Sequence, residues 1–200
     1  TGEIIYDILE KLGTELTKDI MTAIYVAVST DTGCFRYSNT TKESHIIAAK
    51  AIEAGVDLPY LNKILFDTKS MARMNLEKCL YQNTKYYFDK SAAVGILQRA
   101  VIDEYEATED DMENISSYLR KIEGIECAAT AIEQKNGDLK FSLRSGETID
   151  VSAVAQAMGG GGHKRAAGFV IKHGENTEEK IAQLLEEIGK QMGESRTMHV

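Results

Sequence analysis

No stretch of this 200-residue chain approaches the ~20 apolar residues that a membrane span needs. The opening segment lacks a basic region followed by an apolar core, so it is not a signal peptide. Cysteine is scarce: Cys34, Cys79 and Cys127 are odd in number, far apart, and form no CxxC pair. That spacing argues against a zinc cluster or disulfide framework and points to a reducing, cytoplasmic setting. Basic residues are outnumbered, 23 Lys and Arg against 31 Asp and Glu, for a net charge of −8. Such a balance ill suits long duplex nucleic acid, whose binding rests on many cationic contacts to phosphate. It leaves room for a short phosphorylated ligand in a local basic pocket. Hydrophobic residues at 43% and charged residues at 27% are ordinary for a globular protein and argue against disorder. No internal repeat is evident.

One run stands out from this background: Gly159-Gly160-Gly161-Gly162-His163-Lys164-Arg165-Ala166-Ala167-Gly168. Four successive glycines are costly to order. Bare amides can converge on an anion as a nest, and an imidazole and two cations follow at once. The combination predicts a phosphate site, against the simpler reading of a flexible loop. The run holds no serine, and ordered-looking segments flank it. A dinucleotide fingerprint needs a strand before the glycines and a helix after them. Here Val151, Val154, Ala155 and Met158 recur at helical spacing before the run, with Asp150 or Ser152 as N-cap, and Gly168 to Lys172 reads as a strand. The Gly-Lys-Ser/Thr of a Walker loop is missing.

The glycine run resembles the signature of the DHHA1 domain, found at the C-terminal end of DHH-family phosphoesterases. A second segment, Val28-Ser29-Thr30-Asp31-Thr32-Gly33-Cys34-Phe35-Arg36-Tyr37-Ser38-Asn39-Thr40-Thr41, resembles the last metal-binding motif of the DHH catalytic domain. It is most similar to the branch of oligoribonucleases and adenosine 3′,5′-bisphosphate phosphatases. The two motifs stand in the family's order, and the resemblance covers essentially the whole chain. The Asp-His-His triplet and Asp-x-Asp motif of the family have no counterpart: His45, His163, His173 and His199 are never adjacent. The first residue is not methionine, and Ile4, Ile5, Ile8, Leu9 and Leu12 already follow a helical period. The expectation is a fragment, inactive alone, of a larger metal-dependent phosphoesterase.

The implied fold class is α/β. The C-terminal part of a DHH α/β domain spans 1–67, a linker helix 68–83, and a smaller mixed-sheet α/β DHHA1 domain 84–194. Helix 4–12 opens the first part. The apolar run from Ile20 to Val28 suits either a helix or a buried strand. Helix 42–54 ends at Gly55, and the single proline, Pro59, sits where a short helix can start. Met71, Met74, Leu76 and Leu80 on the linker helix read as core. Strands at 86–88 and 92–97, a helix over 109–121, and a hairpin of 127–132 with 139–144 turning at Asn136-Gly137 follow. A strand at 168–172 and a helix at 176–192 complete the second domain.

On the residues alone, Asp31 reads as a capping or turn aspartate whose carboxylate could sit at the mouth of a sheet. The resemblance implies instead a catalytic metal ligand for divalent manganese, in a two-metal site that this chain leaves incomplete. It also implies that Gly160, Gly161, Gly162 and His163 hold the substrate phosphate, with Arg144 and Ser145 at the hairpin end and Arg36, beside Phe35, from the other domain. An arginine fork suits phosphate bidentately. The reaction implied is metal-assisted phosphoester hydrolysis in a cleft between the domains. Substrates would be short phosphorylated oligonucleotides or nucleoside bisphosphates, and a homodimer is compatible. Other readings stay open: a stand-alone nucleotide-binding module, a cyclic dinucleotide phosphodiesterase and a single-strand exonuclease. Asp31-Thr32-Gly33 also matches the aspartic protease signature, but those enzymes are nearly all β and pair two such aspartates. Cys34 reads as a small buried side chain and His45 as structural.

Overall fold

A computed structural model describes residues 1–193. The chain divides into two compact units after Lys69.

The first unit is built, among the described residues, from helices alone. These are α1 (Gly2–Lys11), α2 (Lys18–Asp31), α3 (Lys42–Glu53) and α4 (Leu58–Asn62), the last running into a π-turn at Lys63–Asp67. The apolar run from Ile20 is therefore a helix. Met21, Ile24, Tyr25 and Val28 recur every three to four residues and bury one stripe against Tyr6, Ile47 and Ala51. Tyr25 OH donates to Asn62 Oδ1 at 2.7 Å and ties α4 to that core. Asp57 caps α4 ahead of Pro59 by accepting from Tyr60 N at 3.0 Å. The expectation that Asp31 lies at the mouth of a sheet is corrected: it is the last residue of α2, with no strand beside it.

The second unit opens with α5 (Met71–Gln82), capped by Ser70. Leu76 and Leu80 enter its core, whereas Met71 and Met74 are exposed, contrary to expectation. Leu76 and Leu80 are four residues apart on one face, and the two methionines fall on the other side of the helix. A six-stranded sheet follows: β1 (Lys85–Tyr87), β2 (Ala92–Leu97), β3 (Cys127–Glu133), β4 (Leu139–Ser145), β5 (Gly161–His163) and β6 (Ala166–Ile171). Its order is β1-β2-β3-β4-β6-β5, with only β2 and β3 parallel.

The stretch 99–121 departs from the sequence expectation, which places one helix over 109–121. Helix α6 (Arg99–Glu104) was not foreseen, and 109–121 breaks into α7 (Glu109–Met112) and two 3-10 turns, Ile115–Ser117 and Leu119–Lys121. Asn114 at φ 57° stops the helix. Arg73 of α5 donates to Asp110 O and Glu113 O at 3.3 and 2.9 Å, so these carbonyls need no further turn. Ile115 and Leu119 reach the core although the backbone there is not one continuous helix. Helices α8 (Val151–Ala157) and α9 (Thr177–Gln191) complete the unit.

Layering is what places the site. One face of the sheet is covered from β2 to β6 by α8 and α9, through Val94, Ala129, Phe141, Leu143, Phe169 and Ile171. Phe141 and Phe169 stack there with ring centroids 4.7 Å apart. The other face is covered by α5, α6 and the 3-10 turns over β2 and β3, through Ala93, Leu97 and Ala128, and the turn Ile115–Ser117 also reaches β4. On β6 and β5, and over the half-buried and exposed side chains of β4, that second face is open.

Candidate phosphate-binding face

Register puts two of the expected residues together. Arg144 of β4 and His163 of β5 both lie opposite Ala166 of β6. Side chains two apart share a face, so Arg144, Ser142 and Lys140 stand with Ala166, Gly168 and Val170, and with Gly161 and His163. Ser142 and Gly161 in turn lie opposite Gly168. The result is a shallow floor of Gly161, Gly168, Ala166 and Ser142 with a guanidinium and an imidazole at one end. Gly161 and His163 are exposed, and Arg144 is half-buried. Arg144 Nη1 donates to Leu143 O at 2.9 Å.

The glycine run does not form the expected nest. Gly159 N donates to Gln156 O at 3.0 Å and Gly160 N to Ala155 O at 2.7 Å, both closing the end of α8. The next three residues are extended, and successive amides of a strand point in opposite directions. Most of these glycines have steric reasons of their own. A Cβ at Gly160 would lie 2.1 Å from Gly168 O, and one at Gly162, whose φ is 150°, 2.5 Å from Ala167 Cα. Gly159 has open space but sits at φ 81°, whereas Gly161 has neither constraint: its φ is not positive and a Cβ there would meet nothing within 4 Å.

The hairpin is held in place by α8. Ser152 Oγ donates to Gly162 O at 2.9 Å, and Val151 N to Lys164 O at 3.0 Å. Asp150, rather than Ser152, caps the helix by accepting from Ser152 N and Ala153 N. Ser145 is on the opposite side of β4 from Arg144, and its hydroxyl donates to Ile149 O at 2.8 Å. Arg165 pairs with Glu147 at 3.1 Å in the turn after β5. The floor itself left little sign in the sequence: Ser142 and Ala166 are unremarkable until register sets them side by side.

In the first unit, Asp31 is exposed at the end of α2, and its carbonyl accepts from Asn39 Nδ2 at 3.2 Å. The loop after it is strained, with Cys34 and Phe35 at φ 57° and 63°. Cys34 is half-buried rather than buried. Arg36 Nε donates to Gly33 O at 2.7 Å. Phe35 packs inward and stacks on His45 at 5.1 Å. Among the described residues no group of three or more His, Cys, Asp or Glu could hold a metal ion. Among the described residues, Asp31 therefore has no partners with which to make a metal centre. A separate cavity of about 290 Å³ lies at the far end of the sheet, lined by Ile96, Leu139, Ile171, Lys172, His173 and Glu175 among others. None of the expected site residues line it. Among the described residues no helix is long and apolar enough to cross a membrane.

Residues 90–194 match the family model of the DHHA1 domain. The chain is 28% identical over 193 residues to the bifunctional oligoribonuclease and PAP phosphatase NrnA of Thermus thermophilus, covering 96% of this chain and 57% of that protein. It is 27% identical over 188 residues to a probable protein of the same name from Streptococcus mutans, covering 92% and 59%. The chain thus spans somewhat over half the length of these curated relatives, their C-terminal part. Its fold resembles the crystal structure of an exopolyphosphatase-related protein from Bacteroides fragilis, with a TM-score of 0.82 at 23% identity, over 94% of this chain and 56% of the other.

Proposed function

The chain belongs to the DHHA1 domain family, and from that premise we propose that the open face of β4, β6 and β5 holds a phosphate of a short oligonucleotide or nucleoside bisphosphate. Within this reading the chain is the substrate-binding part of a phosphoesterase. The observation that carries it is the register that brings Arg144 and His163 to either side of Ala166, above a floor with no bulky side chain.

Each part of that arrangement has a chemical use. The guanidinium presents two parallel N–H donors to phosphate oxygens. His163 offers an imidazole N–H and, when protonated, a charge. The floor of Gly161 and Gly168 lets a sugar or base lie close to the backbone. Gly161 is the telling position, because nothing in the fold fills the space where its side chain would be. An acidic protein can hold such a ligand because these contacts are local.

Relatives named for oligoribonuclease and PAP phosphatase activity support the substrate class. Manganese enters the reading only through Asp31. The described residues do not assemble a metal centre around it, so no step here passes through a metal. Any further ligands would come from the length of the relatives that this chain does not span. The three free thiols, half-buried or buried, suit a cytoplasmic protein.

The test is calorimetric titration of a 5′-phosphorylated adenosine dinucleotide into the chain, His163→Ala and Arg144→Gln. Loss of a charge-assisted contact weakens binding about tenfold or more in each variant. Undiminished binding in both would place the ligand elsewhere. The lack of a metal cluster among the described residues favours a second reading, a nucleotide-binding module without catalysis. An upstream coding sequence carrying Asp-x-Asp and Asp-His-His would decide for the enzyme.

A further inference from the structure

Arg120 sits on the 3-10 turn Leu119–Lys121. Its neighbour Leu119 is fully buried over Gly95, on the same face of the sheet as Arg144. A Cβ at Gly146 would lie 2.9 Å from Arg120 Nη2 and 2.6 Å from Glu126 Oε2. Gly146 N donates to Glu126 O at 2.9 Å, so this pair continues the Ala128–Arg144 row one step outward. The Arg120 fork therefore stands over the sheet about 7 Å along the chain from Arg144. Its Nε is buried without a hydrogen-bond partner. Glu126 Oε2 instead accepts from Thr148 Oγ1 at 3.3 Å. A second orphan, Thr130 Oγ1, is on the same face, with Thr130 1% exposed and opposite Ser142. Native proteins satisfy nearly all such groups, and an exception calls for a ligand or another specific role.

We infer that Arg120 is a second phosphate-binding arginine, which takes a further phosphate of the ligand whose first phosphate sits on Arg144 and His163. This rests on the binding reading above and sharpens it. Two guanidinium groups, one on β4 at Arg144 and one reaching over Gly146 two positions along the chain, suit a ligand with two separated phosphates better than a monophosphate. A side chain at Gly146 would crowd both the Glu126 carboxylate and the Arg120 fork. The preferred class is then nucleoside 3′,5′-bisphosphates and 5′-phosphorylated dinucleotides.

Calorimetry with adenosine 3′,5′-bisphosphate and adenosine 5′-monophosphate tests this on the wild type, Arg120→Gln, Arg120→Lys and Gly146→Ala. Arg120→Gln is expected to lose about tenfold in affinity for the bisphosphate while its monophosphate affinity stays within about twofold. Retained monophosphate binding also shows that the variant is folded. Arg120→Lys recovers part of the loss, since it keeps the charge without the fork. Gly146→Ala, whose methyl crowds Glu126 and the fork together, weakens bisphosphate binding in the same direction. Equal weakening of both ligands, or of neither, overturns the inference. If His163→Ala weakens bisphosphate binding and Arg120→Gln does not, the inference alone fails. If the wild type binds neither ligand, the binding reading fails with it.

Discussion

Arg144 and His163 face one another across Ala166, one residue on each strand that flanks β6. They are 19 positions apart in the chain, and only the pairing of β4 and β5 to a common neighbour makes them a pair. The small residues between them then become a floor rather than a composition.

The glycines of the run should separate into two kinds. Gly160→Ala forces a methyl against Gly168 O and should cost about 1–3 kcal/mol of stability, the usual range for overpacking. Gly161→Ala meets nothing. It should leave the melting temperature nearly unchanged and yet weaken nucleotide binding, because its methyl stands on the floor. Thermal melts beside titrations would check both, and equal destabilisation by the two substitutions would count against the assignment.

Cys127 is fully buried in the sheet, and burial pushes its thiol up to about 12. The thiolate is the reactive form, so iodoacetamide at pH 8 should leave Cys127 unmodified in the folded protein. Cys34 and Cys79 are partly accessible and should react first. Mass spectrometry of the native and urea-unfolded protein would show three sites only after unfolding.

Asp138, 8% exposed, anchors the β3–β4 turn to the segment after β6. It accepts from His173 N at 2.9 Å and from Lys172 Nζ at 2.9 Å. The His173 N–H, followed by Lys172, lowers its carboxyl below the usual value. A depressed folded value contributes stability above the unfolded one, near 4, which is lost as pH falls toward the folded value. Urea midpoints at pH 6 and pH 3 should therefore converge in Asp138→Asn relative to wild type. An unchanged acid sensitivity would mean that other carboxylates govern it.

Manganese should neither raise the melting temperature of this chain nor confer phosphoester hydrolysis on it, since no metal-holding group of residues surrounds Asp31 among those described. Asp31→Asn should behave identically. A melting shift that disappears in Asp31→Asn would reveal a metal site that the geometry does not show.

Local chemistry was legible wherever a residue acts on its near neighbours. The period of Val151, Val154 and Ala155, with a cap at Asp150 or Ser152, predicts α8, and Asp150 is the cap. Asn136-Gly137 gave the β3–β4 hairpin, with Gly137 at φ 84°. The stretch 109–121 was illegible because Arg73, some 40 positions upstream, catches the carbonyls that would otherwise continue the helix. The exposure of Met71 and Met74 was hidden for a similar reason, since which side of α5 is covered depends on where the sheet lies.

Sequence alone determined that a glycine-histidine segment follows a capped helix and precedes a strand, and that cations stand close by. Tertiary structure decided what the glycines do: two close the helix, others let strands approach, and Gly161 lies in open space with neither a clash nor a positive φ to require it. It also decided which side chains meet. Strand register turns every second residue to the same side, and a one-residue slip would reverse every choice. Arg144 thus joins His163, Ser145 turns away, and Arg120 arrives from a distant turn that no local pattern announces.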